Sequence, residues 1–330
     1  MNTFGENLRL TLFGESHGPA VGMTLDGLPA GITLDMEAIQ TELDRRAPGG
    51  SELTSARQEK DQPVFLSGLF SGRTTGAPLT AVFRNEDAQS GDYTPNLPRP
   101  SHSDLPAQIK YKGFADYRGG GCFSGRLTAP MVLAGAVCRQ LLASRRVEIR
   151  GELVRVGAAA GTELNFEMRK EILDARSSGD SVGGTVECVA TGLPAGVGEL
   201  FFGGMESRIS AMLFAIPGCK GVEFGDGFAL AAMRGSEAND AIRIERGRIY
   251  TETNHAGGLN GGLTNGMPVI VRAAFRPTPS IAREQKTVDL KTMENTTMRC
   301  RGRHDPCIAL RAAPVVEACV AFCLLDAMGC

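Results

Sequence analysis

All four histidines of the chain lie in polar, glycine-rich segments: His17, His102, His255 and His304. One histidine in such a segment is commonly structural, but four are hard to explain in that way. Imidazole changes its charge near neutral pH and can both donate and accept protons. The four are too scattered for a local metal pair, so the pattern favours acid–base chemistry on an anionic ligand.

A run of three glycines, Gly119 to Gly121, precedes the predicted helix from about Thr128 to Arg145, with Ser124 and Arg126 between them. Free backbone N–H groups, the positive end of a helix dipole and guanidinium groups all favour phosphate or carboxylate. The run fits neither the dinucleotide motif nor the P-loop motif. It predicts an anion-binding loop, and the alternative is a flexible glycine loop.

The segment Gly14 to Gly18 matches the G-x-S-x-G pattern of serine hydrolases. In those enzymes the serine lies at the start of a helix. Here Pro19 is followed by the strand-like stretch Val21 to Leu25. We therefore expect a loop that presents Ser16 and His17 to a cleft.

The chain has nine cysteines, and Cys300, His304 and Cys307 are spaced as metal ligands could be. A fourth nearby ligand and a Cys-x-x-Cys pair are both missing from the sequence, so we expect no metal. The odd number of thiols argues against a disulfide framework. Because the N-terminus has no secretory pattern and no apolar run reaches the length of a membrane span, we predict a cytoplasmic protein.

Three sequence patterns recur in the same order in the two halves of the chain. The paired segments are Gly27 to Gly31 with Gly192 to Gly196, Gly68 to Pro78 with Gly258 to Pro268, and Ala129 to Leu141 with Ala313 to Leu325. This order indicates an internal duplication. We predict an α+β fold, a β-α-β sandwich of two similar halves (about 1–160 and 161–330) that form a single domain over 1–330.

Composition and net charge indicate the general class of the protein. The 330 residues carry a net charge of −2, with 42% hydrophobic and 22% charged residues, which is typical of a globular protein. Such a balance gives no indication of nucleic-acid binding. Glycine is unusually frequent at 42 residues, so many backbone positions need positive φ or a close approach.

Several motifs in collinear order make the whole chain resemble the chorismate synthases. They are Phe13 to Gly18, Arg99 to His102, Asp116 to Gly121, Lys220 to Gly225, Asn254 to Gly258 and Gly302 to Cys307. The resemblance implies a carbon–oxygen lyase acting on phosphates. It would convert 5-enolpyruvylshikimate 3-phosphate to chorismate by trans-1,4-elimination, the last common step of aromatic amino acid biosynthesis. It also implies reduced FMN as cofactor without net redox change, and a homotetramer.

The same resemblance implies roles for individual residues. His17 would protonate the departing phosphate, His102 would stabilise the reduced anionic flavin, and Asp305 would assist flavin N5 as it removes the C6 proton. The implied substrate-binding residues are Ser16, Arg45, Arg99, Ser124, Arg126 and Arg303. The implied flavin-binding residues are Arg46, Cys122, Phe123, Ser124, Pro217, Gly218, Gly261, Arg276, Pro277, Thr278, Pro279, Ser280 and Arg303.

The chain departs from the family pattern at Ala47 and Glu52, where relatives commonly carry arginine in a loop implied to contact substrate or NADPH. We expect NADPH to act only indirectly, through a separate flavin reductase. The expected partners are a small-molecule substrate and further copies of this chain, not nucleic acid or a membrane. Two alternatives stay open: a serine hydrolase using Ser16, and a non-catalytic flavin-binding paralogue.

Overall fold

The computed structural model describes residues 2–49, 52–54, 60–86, 91, 93–300 and 304–330. The helices are α1 (Met36–Arg46), α2 (Asp104–Lys110), α3 (Thr128–Ser144), α4 (Phe166–Ser177), α5 (Met205–Phe214), α6 (Gly235–Ala238) and α7 (Ala313–Met328). Strands of the first half are β1 (Thr3–Phe4), β2 (Arg9–Gly14), β3 (Ala20–Asp26), β4 (Val64–Ser67), β5 (Leu69–Phe70), β6 (Arg73–Thr74), β7 (Leu79–Arg84) and β8 (Glu148–Val156). The remaining strands are β9 (Ala159–Ala160), β10 (Gly184–Thr191), β11 (Cys219–Phe224), β12 (Ile242–Glu245), β13 (Arg248–Thr251), β14 (Leu259–Asn260), β15 (Leu263–Thr264), β16 (Val269–Phe275), β17 (Gln285–Asp289) and β18 (Glu294–Met298).

Two antiparallel five-stranded sheets enclose a helical layer. One sheet has the order β1-β2-β3-β7-β4 and the other β11-β16-β10-β8-β9. Alternate residues of the central strands are buried, such as Val21, Met23 and Leu25 of β3, because one face of each sheet packs on the helices. This arrangement confirms the predicted β-α-β sandwich.

Helices α3 and α7 form the middle layer and pack on each other. The first also contacts β3, β7 and β8, and the second contacts β8 and β10. Both are apolar on nearly every side, since protein surrounds them. Their backbones approach closely at Gly135, where a Cβ atom would lie 2.2 Å from Cα of Ala318. Helix α3 begins at the predicted residue, Thr128, and ends one residue before the predicted Arg145.

The two halves repeat individual hydrogen bonds as well as elements. In the first half, the hydroxyl of Thr74 donates to the carbonyl oxygen of Pro29 at 2.6 Å. In the second half, Thr264 donates to Pro194 at 2.7 Å in the same way. Each threonine belongs to a short hairpin, β5–β6 or β14–β15. The similarity of the two halves thus extends to equivalent hydrogen bonds. The predicted boundary near residue 160 stays a prediction.

Within the described residues, the stretch Arg118–Ser144 is long and apolar enough to cross a membrane. However, 72% of its apolar window is buried inside the protein, as in a core helix. A stretch of this kind is weak evidence for a membrane span.

Candidate active site

A cleft of about 1210 Å³ is lined by loops and helix ends from both halves of the chain. Its wall includes β1, the second half of β2, the triple-glycine loop, the first turn of α3, the end of α5, the loop after β16 and the start of α7. The duplication therefore matters for function, because one site receives side chains from both halves.

Two histidines meet consecutive glycines at this cleft. A Cβ atom at Gly119 would lie 2.5 Å from Nε2 of His17, and one at Gly120 would lie 3.2 Å from Nε2 of His102. Both glycines have positive φ, 59° and 85°, so both the conformation and the close approach require glycine. Gly119 and His102 line the cleft, and His17 lies directly against Gly119. The structure thus brings His17 and His102, eighty-five positions apart, to one loop.

The loop that contains Ser16 and His17 is held by hydrogen bonds to Gly121 and to Asn85. The backbone N–H of Ser16 donates to the carbonyl oxygen of Gly121 at 3.1 Å. The amide of Asn85 donates to the carbonyl oxygens of Glu15 and Gly18, and its oxygen accepts from Nε of Arg126 at 3.0 Å. Asn85 therefore fixes this loop relative to a guanidinium in the cleft wall.

The hydroxyl of Ser16 is fully buried, lines the cleft, and has no hydrogen-bond partner among the described residues. A buried polar group without a partner is costly, and such a group commonly has a ligand or a water as its partner. A nucleophilic serine would instead be hydrogen-bonded to its base. This geometry fits ligand binding.

His102 belongs to a compact network with Arg99 and Asp104. Nδ1 of His102 lies 2.6 Å from Oδ1 of Asp104. Arg99 donates to the same carboxylate through Nε, at 2.7 Å from Oδ2, and through Nη2, at 2.8 Å from Oδ1. Burial lowers the pKa of His102, although Asp104 acts in the opposite direction. Hydrogen bonds from Arg99 and His102 hold the pKa of Asp104 well below its usual range, even though burial alone would raise it.

A buried ion cluster underlies the cleft beside the triple-glycine loop. Asp61 is paired with Arg46, at 2.9 Å, and with Arg126, and the three side chains are at most 3% exposed. Both guanidinium groups line the cleft. Burial lowers the pKa of Arg46, although the charge of Asp61 raises it, and Nε of Arg46 has no hydrogen-bond partner among the described residues. The described part of this cluster thus places two guanidinium groups against the single carboxylate of Asp61.

Asp305 and His304 also line the cleft. Asp305 accepts from Arg311 at 2.5 Å, and Arg311 also donates to the carbonyl oxygen of Arg46 at 2.8 Å. Arg311 therefore joins the segment of His304 and Asp305 to the ion cluster of the first half.

Most of the sequence-predicted flavin and substrate residues line this cleft. In addition to Ser16, Arg46, Arg99 and Arg126, they are Cys122, Phe123, Ser124, Pro217, Gly218, Arg276, Thr278, Pro279 and Ser280. Ser280 accepts from Arg99 at 3.1 Å. Among the described lining residues, five arginines and one lysine face a single carboxylate, that of Asp305. The excess of positive charge in the described lining therefore favours the binding of anions.

Three predicted residues lie outside the described cleft lining, and a fourth, Arg303, is not among the described residues. Arg45 is turned to the buried carboxylate of Glu317, which it contacts at 2.6 and 3.0 Å, because a carboxylate only 2% exposed needs a charged partner. Pro277 packs towards Gly183 rather than the cleft. Gly261 lies at the turn of β14–β15, outside the described lining. Arg303 falls outside the described residues.

Comparison with known proteins decides the family. A family model described as chorismate synthase matches residues 8–328. The chain belongs to the chorismate synthase family. The chorismate synthase of Thermococcus gammatolerans is 47% identical, over 98% of this chain and 96% of that protein. The chorismate synthase of Chitinophaga pinensis is 47% identical, over 99% and 96%. A crystal structure titled chorismate synthase has a TM-score of 0.77 and 29% identity, covering 98% of this chain and 92% of that one.

At two departures from the chorismate synthase pattern, Ala47 and Glu52, the residue itself is not among the described cleft lining, although Ala47 stands between the lining residues Arg46 and Pro48. Glu52 is exposed, its carbonyl oxygen accepts from Arg176 of α4, and neither it nor Ala47 is among the described lining residues. Its carboxylate is thus a surface charge in this structure.

Sequence reasoning missed three residues that position the others: Asp61, Asn85 and Asp104. Asp104 stands two residues after His102, just beyond the motif Arg99 to His102, so its proximity was a usable signal. Asp61 and Asn85 lie far from the motifs in the chain, and only the fold brings them to Arg126.

The described residues contain no group of three or more histidine, cysteine, aspartate or glutamate side chains that could hold a metal.

Proposed function

We propose that this chain converts 5-enolpyruvylshikimate 3-phosphate to chorismate by trans-1,4-elimination of phosphate, with reduced FMN as cofactor, as a carbon–oxygen lyase. The observation that carries the proposal is the meeting of His17 and His102 at Gly119 and Gly120, on the wall of one anion-binding cleft. Family membership supports the same reaction.

The cleft fits two ligands together. Sites for one small ligand commonly span about 300–1,000 Å³. At about 1210 Å³ this cleft exceeds that range, so it has room for a flavin beside a substrate. The buried Ser16 hydroxyl and Nε of Arg46 are donors in its wall without hydrogen-bond partners among the described residues. Phosphate or carboxylate oxygens would satisfy both.

In the overall reaction, one C–O bond to phosphate and one C6–H bond break, and a new C=C bond forms. Cys122, Phe123 and Ser124 of the cleft wall would help to hold reduced FMN, which would supply the base for the C6 proton. His17 donates a proton to the departing phosphate, and Asp305, in the cleft wall, would assist the flavin as the C6 proton is removed. His102, beside Arg99, would stabilise the negative charge of the reduced cofactor. The arginines bind and orient the anions throughout.

The structure of the Ser16 loop gives no support to a serine hydrolase, because the hydroxyl has no hydrogen bond to a base among the described residues. A non-catalytic paralogue is disfavoured by the retention of His17, His102 and Asp305 at the cleft. Neither alternative is favoured by a specific observation.

Homo-oligomerisation, to a tetramer, is also part of the proposal. Large apolar side chains are exposed on the β12–β13 hairpin, where Ile242, Ile244 and Ile249 are each at least 69% exposed, and support a surface covered by another copy. A separate flavin reductase, indirect use of NADPH and a cytoplasmic location complete the proposal.

An anaerobic assay tests this function. Enzyme with photoreduced FMN and 5-enolpyruvylshikimate 3-phosphate is expected to release phosphate and chorismate in equal amounts, and none with oxidised FMN. Phosphate release without flavin, together with labelling of Ser16 by a fluorophosphonate, would support the hydrolase instead.

A further inference from the structure

The carboxylate of Asp104 makes close contact with the imidazole of His102 and with the guanidinium of Arg99. Oδ1 lies 2.6 Å from Nδ1 of His102 and 2.8 Å from Nη2 of Arg99, and Oδ2 lies 2.7 Å from Nε of Arg99. Oδ2 also accepts the backbone N–H of Arg99 at 3.0 Å. Both His102 and Asp104 have side chains that are 14% exposed. The carboxylate is therefore held by four donors in a nearly closed setting.

These contacts decide which nitrogen of His102 carries the proton. A carboxylate at 2.6 Å can only accept, so Nδ1 is the protonated nitrogen of the neutral ring. The nearby Arg99 nitrogen, at 3.1 Å from Nδ1, is itself a donor and cannot replace that acceptor. Nε2 is left as the basic nitrogen on the other side of the ring, next to Gly120.

We propose that Asp104 is a positioning residue for His102: it fixes the Nδ1–H tautomer, aims Nε2 at the ligand cleft and stabilises the imidazolium when Nε2 takes a proton. This inference rests on the proposed function for its catalytic consequence. The tautomer and the proton affinity of His102 do not depend on which reaction the enzyme catalyses.

The charges around His102 show why a carboxylate is needed there. Arg99 and Arg276 are the cations that face the ring, and together with burial they favour its neutral form. Asp104 is the anion that opposes them. Without it, His102 would take up a proton still less readily, and an imidazolium would form less easily beside the negative charge of a bound reduced cofactor.

The direct test needs no ligand. Long-range proton–nitrogen NMR correlations of isotope-labelled histidines are tractable because the chain has only 4 histidines. Neutral His102 is expected as the Nδ1–H tautomer, the opposite of the form that histidine prefers in water. In the Asp104→Asn variant its pKa is expected to fall by about one pH unit, a tenfold change in proton affinity. Asp104→Glu should restore most of that change.

Activity provides the second readout. Asp104→Asn should lower kcat at least tenfold with little change in KM, and shift the alkaline limb of the pH profile downward, because the protonated ring is the active form. The matched control is Asp226→Asn, since Asp226 pairs with His255 at 2.5 Å and neither residue lines the cleft; its turnover should be unchanged. An Nε2–H tautomer in the unaltered protein, or an unshifted His102 pKa in Asp104→Asn, would overturn the inference. Absence of chorismate from the unaltered enzyme would instead refute the proposed function.

Discussion

His17 occupies the space where a side chain at Gly119 would be: a Cβ atom there would lie 2.3 Å from Cδ2 of the imidazole. The contact joins two segments that are distant in the chain, the loop after β2 and the triple-glycine loop before α3. It follows that the glycine run does more than turn the chain. Its missing side chains allow two histidines to approach one cleft.

Replacing Gly119 with alanine should therefore displace His17. Turnover is expected to fall by about 10²-fold, because a shift near 1 Å in a positioned acid is enough for such a loss. Steady-state chorismate formation measures it. The matched control is Gly72→Ala, since Gly72 also has positive φ (74°) but nothing within 4 Å of its Cβ position. Equal losses of activity in both variants would mean that backbone strain, and not His17, is responsible.

The buried Asp61 should be essential for stability. Asp61→Ala leaves the guanidinium groups of Arg46 and Arg126 close together and uncompensated, which typically costs about 3–5 kcal/mol of unfolding free energy. Chemical denaturation measures the loss. As a control, Asp180→Ala removes an exposed pair with Arg283 and should cost less than about 1 kcal/mol. Similar costs for the two variants would contradict the cluster's role.

Helices α3 and α7 should tolerate no side chain at their crossing. In Gly135→Ala the new methyl group would lie 2.2 Å from both Cα and Cβ of Ala318, so the helices must separate. We expect a loss of about 1–3 kcal/mol, the usual range for overpacking. Adding Ala318→Gly should restore only part of it, because the Ala318 backbone also obstructs the methyl group. Thermal unfolding of the two variants provides the comparison, and an unchanged melting temperature in Gly135→Ala would contradict the close packing.

Stability should depend on pH through His102. Burial lowers its folded-state pKa below the usual value of about 6.5, so the unfolded chain binds a proton more readily. Stability from this group is therefore complete above pH ~6.5 and declines as the pH falls towards the folded-state pKa. The slope is at most about 1.4 kcal/mol per pH unit. His102→Asn cannot titrate but can still donate to Asp104, so this slope should disappear; an identical slope in both proteins would contradict the assignment.

The β-α-β sandwich could be predicted from the sequence because its signals are short or repeated. Glycine turns and apolar helices can each be recognised within one segment, and the duplication repeats the segments in the second half. Likewise, His17, His102 and Asp305 could be found because they stand in short motifs. Arg45 differs: the family resemblance implied a ligand for it, but it pairs with the buried Glu317, and that pairing depends on the packing of α1 against α7. The role of Asp61 could not be predicted either. Its partners, Arg46 and Arg126, are distant from it in the sequence and only the fold brings them together.

The proposed elimination needs reduced flavin but does not consume it. This property can be measured as the amount of chorismate formed per reduced FMN oxidised, followed anaerobically in one cuvette by flavin absorbance and product absorbance. We expect many chorismate molecules to form while the flavin stays reduced. One flavin oxidised for each chorismate formed would contradict it.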